Sequence, residues 1–216
     1  MLNFYKPTGR SSFWVVKVVR GIIGVKKVGH AGSLDPFADG VLLLVTGRAT
    51  KKVTQLMELQ KEYVGEIRLG VRTDTDDLTG EITSEQACTG IAMDRIDEVC
   101  REFTGEIDQL PPVYSAKKIK GERYYKIARR GGEVERRVNR VHVYSLDILD
   151  YTEPMLRIRV TCSKGTYIRA LARDIGDALG CGGHLHALTR TRIGNYTIED
   201  SMTIDQFEKN FRDSGR

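Results

Sequence analysis

A short apolar run, Val41 to Val45, constrains the fold of this chain more than any other stretch. It is partly β-branched, contains no polar residue and is bounded by Gly40 and Gly47. A run of this length between glycines is typical of a buried strand. The residues just ahead of it, including Asp35, therefore form a loop that enters the hydrophobic core.

Asp35 lies in that loop between Leu34 and Pro36. Proline disfavours helical backbone at the residue before it, and the three nearby glycines allow close approach of another backbone or a ligand. This arrangement can hold one carboxylate in a fixed place. The alternative is an ordinary Leu-Asp-Pro turn in which the aspartate bonds its own backbone, an interpretation that suits Asp39 better.

Residues 29 to 42, GHAGSLDPFADGVL, resemble the G-H-x-G-x-L-D-P-x-A-x-G-x-L signature of the TruB-type tRNA pseudouridine synthases. The resemblance covers nearly the whole chain, from about Lys6 to Thr203. It implies the pseudouridine synthase fold and a catalytic role for Asp35. Members of this family modify a uridine in the T-loop of tRNA.

Alternating strands and helices without regular βαβ repetition predict an α+β fold, with a mixed, mainly antiparallel sheet flanked by helices. Besides the apolar run, we expect strands over 63–71, 138–149 and 155–162. Apolar periodicity predicts helices after a cap at Ser11 or Ser12, over 50–59 with Val53, Leu56 and Met57 inward, near 96–103, and from about 168 to 179.

The resemblance implies a catalytic domain over residues 1–205, a basic flap at about 111–140 and a short tail over 206–216. Many family members continue into a separate C-terminal RNA-binding domain. We expect none here, because only a few residues follow the resemblance.

The net charge of +5 and the pI of about 9.0 favour a polyanionic partner. Basic residues concentrate between Lys117 and Arg140, where Tyr124 and Tyr125 are interleaved with them, a pattern that suits a phosphate backbone with exposed bases. No apolar run approaches the roughly 20 residues that span a bilayer, and the N-terminus lacks a secretory signal, so we expect a cytoplasmic protein.

The sequence indicates no cofactor and no metal. It contains neither the Walker phosphate-binding motif nor a dinucleotide-binding glycine motif after a strand. Cys181, His184 and His186 lie close together, but four-ligand zinc sites usually draw on two such clusters. The four cysteines form no C-x-x-C pair, and we expect all of them to be reduced and partly buried.

Two further catalytic residues follow from the resemblance. Tyr63 would stack on the uracil that is flipped out of the RNA, although by pattern alone it is a core tyrosine at the start of a strand. Arg169, in the segment SKGTYIR, would pair with Asp35 and keep it ionised. The first turn of a helix disfavours a cation, so this position suggests an anionic partner, and without the resemblance Arg169 would be assigned to phosphate or to solvent.

Seven other residues are expected to bind the RNA or order the site, because they belong to matching motifs or to the basic segment. They are Lys6, His30, Asp77, Lys117, Arg129, Tyr167 and Leu188. The resemblance implies that Lys6 holds the loop of Asp35 and that Leu188 lines the uracil pocket. The alternatives are a surface charge for Lys6 and core packing for Leu188.

Pseudouridine formation detaches uracil from C1′ of the ribose, turns the base and rejoins it through C5. One carboxylate suffices if it attacks C1′ or if it removes a ribose proton to give a glycal, and the residues favour neither route. We expect a stand-alone monomer that binds tRNA without a membrane, a guide RNA or an obligatory protein. The alternatives are a tRNA chaperone without catalysis, a synthase for another RNA, and a metal-dependent hydrolase.

Overall fold

The computed structural model describes residues 1–115, 118–119, 122–124, 130 and 136–215. The predicted RNA-binding residues Lys117 and Arg129 lie outside this part of the chain. The chain divides into two units: a terminal unit, Met1–Val64 with Leu188–Arg216, and a central unit, Gly65–Ala187. Among the described helices, none has both the length and the apolar character that a membrane crossing requires.

The terminal unit combines short strands with helices at both ends of the chain. Its elements are β1 (Leu2–Lys6), α1 (Ser12–Ile23), β2 (Val28–His30), β3 (Asp39–Thr46), a 3-10 helix (Gly47–Lys52), α2 (Val53–Glu58), β13 (Tyr196–Thr197) and α5 (Ile204–Asp213). Strands β4 (Lys61–Leu69) and β12 (Gly183–Ile193) each run from one unit into the other. In the terminal unit β3 lies between β1, which is antiparallel to it, and β12, which is parallel.

Strand β3 contains the apolar run, and it is buried on both faces. Leu42 and Leu44 pack with α1 and α5, whereas Val41 and Leu43 pack with Ala31 and the end of β12. Side chains alternate between the faces of a strand, so burial on both sides requires the uninterrupted run of apolar residues. The predicted buried strand is confirmed.

The central unit is built on antiparallel strands with helices packed beside them. Its elements are β5 (Val71–Thr73), β6 (Ile82–Glu85), α3 (Met93–Glu102), β7 (Gly105–Gln109), β8 (Lys118–Ile119), β9 (Glu122–Arg123), β10 (Asn139–Thr152), β11 (Met155–Cys162) and α4 (Ile168–Ala178). Within it, β4, β11, β10 and β7 are neighbours in that order. Strands β10 and β11 form an antiparallel hairpin, and β7 is antiparallel to β10. The predicted α+β class with a mainly antiparallel sheet is confirmed.

The helix expected over 50–59 differs from the prediction. A 3-10 helix precedes the short α2, and Met57 is 42% exposed, so its predicted inward position was wrong. Leu56 packs against the core beside β3, and Met57 lies about 100° further round the helix from it. At α1 the capping residue is Ser11, whose side chain accepts a hydrogen bond from the Trp14 N–H.

The expectation of four reduced cysteines was wrong for one pair. Cys88 and Cys181 form a disulfide within the central unit, with their Cα atoms 5.6 Å apart, while Cys100 and Cys162 are buried and free. Gly70 brings the two segments together, since its N–H donates to the Gly182 carbonyl at 3.0 Å and its carbonyl accepts from Gln86 N–H at 2.8 Å. The two cysteines are 93 residues apart in the sequence, so no local pattern of residues predicts that they pair.

Candidate active site

The loop of Asp35 lies in the terminal unit between β2 and β3. Asp35 is half-buried, and its carbonyl accepts a hydrogen bond from the Ala38 N–H at 3.2 Å, which closes a turn over Pro36. The residue before it, Leu34, is buried. The carboxylate is therefore carried by a turn whose backbone is anchored, and its side chain is not fully enclosed by the protein.

Tethers from other elements hold the residues on each side of Asp35. The buried hydroxyl of Ser12, on α1, accepts from the Leu34 N–H at 2.8 Å and donates to the Leu34 carbonyl at 3.1 Å. The Gly9 N–H donates to the Pro36 carbonyl at 2.7 Å. The backbone on both sides of Asp35 is thus fixed by partners that are distant in sequence.

Lys6, at the end of β1, is fully buried and belongs to the same anchored region. Its ammonium donates to the carbonyls of Pro7 at 2.8 Å, Arg10 at 2.6 Å and Pro36 at 3.4 Å. Burial lowers the pKa of Lys6 to about 8, against the attraction of Asp39 and Asp35, which favours the charged form. The surface-charge interpretation of Lys6 is therefore wrong, and its contact with Pro36 agrees with the expected role in holding the loop.

The other predicted residues of the terminal unit lie on strands β4, β12 and β2. Tyr63, on β4, and Leu188, on β12, are both buried, with 9% and 8% of their surfaces exposed. His30 ends β2 and is half-buried. Burial, followed by the nearby charge of Arg190, lowers the pKa of His30 and favours the neutral imidazole at pH 7.

Arg169 and Asp77 meet in the central unit. Arg169 lies in the first turn of α4, where Nη1 forms an ion pair with Asp77 Oδ2 at 3.2 Å and also donates to the Thr75 carbonyl at 2.9 Å. Its Nη2 donates to the Tyr114 carbonyl at 3.0 Å. Asp77 is thus an anionic partner of this cation, and the pairing of Arg169 with Asp35 stays a prediction.

Asp77 is itself buried within the polar turn after β5. Its Oδ1 accepts hydrogen bonds from the Thr75 hydroxyl at 2.9 Å, the Thr79 N–H at 2.9 Å and the Thr79 hydroxyl at 2.6 Å. These contacts satisfy the carboxylate that Arg169 neutralises. Asp77 therefore orders this turn and joins it to α4.

Gln109 and Arg173 support the start of α4. No pattern in the sequence indicated either residue. Gln109, fully buried at the end of β7, accepts from the Tyr167 N–H at 2.9 Å and donates to the Tyr167 carbonyl at 3.2 Å. Arg173 forms an ion pair with Asp76 at 2.9 Å and donates to the Leu110 carbonyl at 3.0 Å. Both residues fix the backbone on which Tyr167 and Arg169 are placed.

A cavity of about 460 Å³ opens beside Arg173 in the central unit. Guanidinium and carboxylate groups line much of it, from Arg72, Asp74, Asp76, Arg136, Arg173 and Asp174. Burial raises the pKa of Asp76, and the charge of Arg173 opposes that rise. Within this lining, Arg173 already forms ion pairs with Asp76 and Asp174.

No group of three histidine, cysteine or acidic side chains within the described residues is arranged to hold a metal ion. His184, one of the candidate ligands, contacts the Val71 carbonyl through Nδ1 at 2.9 Å. Of the proposed site residues, the terminal unit contains Lys6, His30, Asp35, Tyr63 and Leu188, and the central unit contains Asp77, Tyr167 and Arg169.

Comparison with known proteins gives matches over nearly the whole chain. Residues 20–168 match the model of the N-terminal domain of TruB family pseudouridylate synthases, and residues 169–214 match that of the tRNA pseudouridylate synthase B C-terminal domain. The tRNA pseudouridine synthase B of Clostridium tetani is 43% identical over 209 residues, which are 97% of this chain and 72% of that protein. The protein of the same name from Phocaeicola vulgatus is 44% identical over 213 residues, which are 96% of this chain and 91% of that protein.

Among solved structures, the crystal structure of a Cbf5-Nop10-Gar1 complex contains a chain that matches all of this one with a TM-score of 0.76 and 32% identity. This chain spans 56% of that one. The fold and the sequence motifs together define the class, a pseudouridine synthase and hence an isomerase. Within that class, the chain belongs to the TruB family of pseudouridylate synthases.

Proposed function

We propose that this enzyme converts a uridine in the T-loop of tRNA to pseudouridine, with Asp35 as its catalytic carboxylate. The observation that carries the proposal is the fixed backbone around Asp35, which Ser12 holds at Leu34 and which Gly9 and Lys6 hold at Pro36. A catalytic group must be held close to its productive geometry, because small displacements cost large factors in rate. The relatives named tRNA pseudouridine synthase B support tRNA as the substrate.

The reaction breaks the C1′–N1 bond and forms a C1′–C5 bond, while a proton leaves C5 and N1 gains one. Asp35 acts either by attacking C1′ or by removing a ribose proton, and in both cases its ionised form reacts. In this proposal Arg169 pairs with Asp35 during the reaction in addition to its contact with Asp77. A guanidinium beside a carboxylate favours the ionised form.

Tyr63 would stack on the uracil once it has left the RNA, with Leu188 beside it in the pocket. Flipping a base costs a few kcal/mol, and an unpaired loop nucleotide requires less than one in a duplex. His30, which is favoured in its neutral form, would contact the RNA beside the vacated position. Tyr167, Lys117 and Arg129 would contact the RNA backbone or neighbouring bases, consistent with the positive net charge of +5.

The deciding experiment compares Asp35→Asn with the matched variant Asp39→Asn in a pseudouridine assay on an unmodified tRNA transcript. Asp39 lies in the same segment, but its carboxylate accepts a hydrogen bond from the Tyr5 hydroxyl at 2.8 Å. We expect Asp35→Asn to lower kcat by about a thousandfold or more, because the reacting oxygen is lost, and Asp39→Asn to stay within about tenfold of the wild type.

A second transcript, with the T-loop uridine replaced by cytidine, tests the position of the modification. Product from the wild type on the intact transcript alone supports both the residue and the site. Wild-type activity in Asp35→Asn would contradict the catalytic assignment. Tight tRNA binding by a folded wild type that makes no product would instead favour a chaperone or another RNA substrate.

A further inference from the structure

Arg190 is an arginine in the interior of the terminal unit, on β12. Only 1% of its surface is exposed, and it is among the largest fully buried side chains of the protein. A guanidinium remains charged inside a protein, and its burial is costly unless its N–H groups find acceptors. The partners of Arg190 therefore show which part of the structure this charge supports.

Those partners are main-chain carbonyls from both ends of the segment that carries Asp35. Nε donates to the Val41 carbonyl at 2.8 Å, Nη1 to that of Ser33 at 3.3 Å, and Nη2 to that of Gly32 at 3.2 Å. Gly32 and Ser33 precede Asp35, whereas Val41 lies in β3 beyond it. One side chain thus ties the beginning and the end of the segment 32–41 to each other and to β12.

The backbone of Arg190 also meets this segment. Arg190 pairs with Gly40 in the parallel ladder between β12 and β3. A Cβ atom at position 40 would lie 2.2 Å from the Arg190 carbonyl oxygen, and Gly40 has a φ of +105°. Only glycine fits this conformation and this close approach, so the end of the loop lies directly against the backbone of Arg190.

The geometry requires a guanidinium. Its planar fork presents donors in several fixed directions and reaches carbonyls that belong to two separate stretches of chain. A lysine would keep the charge, but it would offer one nitrogen where the guanidinium uses three, Nε, Nη1 and Nη2. The other tethers, Ser12 and Lys6, act next to Asp35, whereas Arg190 acts at the base of its loop.

We propose that Arg190 is a positioning residue, which sets the geometry of the loop that presents Asp35 for the reaction. This inference depends on the proposed function, because it assigns Arg190 a role through Asp35. Arg190 does not touch the substrate in this account. Its replacement should therefore slow the chemical step while leaving tRNA affinity nearly unchanged.

The test uses the full chain with Arg190→Lys and the matched variant Arg192→Lys. Arg192 lies two residues further along β12, is 34% exposed, and contacts Glu62 at 3.2 Å and the Gly194 carbonyl at 3.1 Å but not the segment 32–41. We expect Arg190→Lys to lower the single-turnover rate of pseudouridine formation by about tenfold to a hundredfold, with the Kd for tRNA within about threefold of the wild type. Arg192→Lys should leave both values within about threefold.

Amide hydrogen exchange of the segment 32–41 supplies a readout that needs no activity. Exchange there should accelerate in Arg190→Lys and not in Arg192→Lys, while α5 exchanges as in the wild type. Unchanged exchange, unchanged rate or an equal loss of rate in both variants would overturn the inference. If the wild type forms no pseudouridine but Arg190→Lys still accelerates exchange of this segment, the proposed function fails and the structural part of the inference stands.

Discussion

At the scale of single residues, charged groups that are buried in the terminal unit bind main-chain oxygens. The ammonium of Lys6 contacts the carbonyls of Pro7, Arg10 and Pro36, and the guanidinium of Arg190 contacts those of Gly32, Ser33 and Val41. All of these carbonyls except that of Val41 lie outside helices and strands, where regular backbone partners are absent. The buried cations satisfy them, and the loop gains a defined shape.

Lys6 predicts a particular dependence of stability on pH. Burial lowers its pKa from 10.5 to about 8, so between these values the unfolded chain binds more protons than the folded one. The contribution of Lys6 to the free energy of unfolding should therefore be constant below the folded pKa and rise above it, by at most about 1.4 kcal/mol per pH unit. Urea unfolding of the wild type and Lys6→Met at about pH 7 and about pH 9.5 measures this difference.

The control is Lys51→Met, which removes an exposed lysine and should cost little stability. The difference in the free energy of unfolding between the wild type and Lys6→Met should be more in favour of the wild type at the higher pH. A difference between these two proteins that does not change with pH would contradict the assignment of the lowered pKa to Lys6.

At the scale of secondary-structure elements, α4 organises the polar part of the central unit. Its first turn carries Arg169, which reaches the turn after β5 and the Tyr114 carbonyl. Towards its other end, a Cβ atom at Gly176 would lie 2.3 Å from the carbonyl carbon of Gly182, so the chain before β12 runs directly against the helix. One helix thus fixes the loop that contains Asp77 and the entry to β12.

The buried ion pair of α4 predicts a large effect on stability. Asp77→Ala removes a carboxylate partner of Arg169, whose side chain is only 6% exposed, together with the hydrogen bonds that Asp77 Oδ1 accepts within its turn. We expect a loss of about 3–5 kcal/mol in the free energy of unfolding, measured by urea denaturation. The control is Asp97→Ala, which removes an exposed ion pair with Arg101 on α3 and should cost less than about 1 kcal/mol. Equal losses in the two variants would show that burial does not strengthen the Arg169 pair.

At the scale of the whole molecule, covalent and noncovalent links join segments that are distant in sequence. The Cys88–Cys181 disulfide closes a loop within the central unit, while in the terminal unit α5 packs on α1 through residues such as Phe207. Each link restricts the unfolded chain or adds buried apolar area to the folded one. Each unit is therefore held in part by a link between segments that are distant in sequence.

The disulfide predicts the number of reactive thiols. In denaturant without reductant, a thiol reagent should find two thiols, those of Cys100 and Cys162, and after reduction it should find four. Reduction should lower the free energy of unfolding by about 4–5 kcal/mol, because the closed loop spans 93 residues. A Cys88→Ser variant should show no further loss with reductant. Four thiols in the untreated protein would show that the pair is not oxidised.

Patterns of neighbouring residues predicted the elements of this fold correctly where one periodicity dominates. The alternation of Tyr63, Ile67 and Leu69 predicted β4, and the apolar face of Ile96, Val99 and Cys100 predicted α3. The sequence could not divide the helix near residue 50 into a 3-10 and an α segment, since both place apolar residues three or four positions apart.

The proposed catalytic residues of the candidate site came from the motif around Asp35 and from its resemblance to the signature of the TruB family. Ser12 and Arg190 were not identified as tethers of this loop. The spacing of Arg190 two residues after the buried Leu188 was an available signal, because it places both side chains on one face of a strand. Nothing in that spacing indicates which carbonyls the guanidinium reaches.

The sequence by itself determined the class of fold, the buried strand β3, the aspartate ahead of it and the family of the enzyme. These features depend on residue type at short and fixed spacings, which a single chain displays directly. Only the tertiary structure decided which groups hold that aspartate's loop, which acid pairs with Arg169 and which cysteines bond. Those contacts join main-chain and side-chain atoms far apart in sequence, and folding alone brings them within hydrogen-bonding or bonding distance.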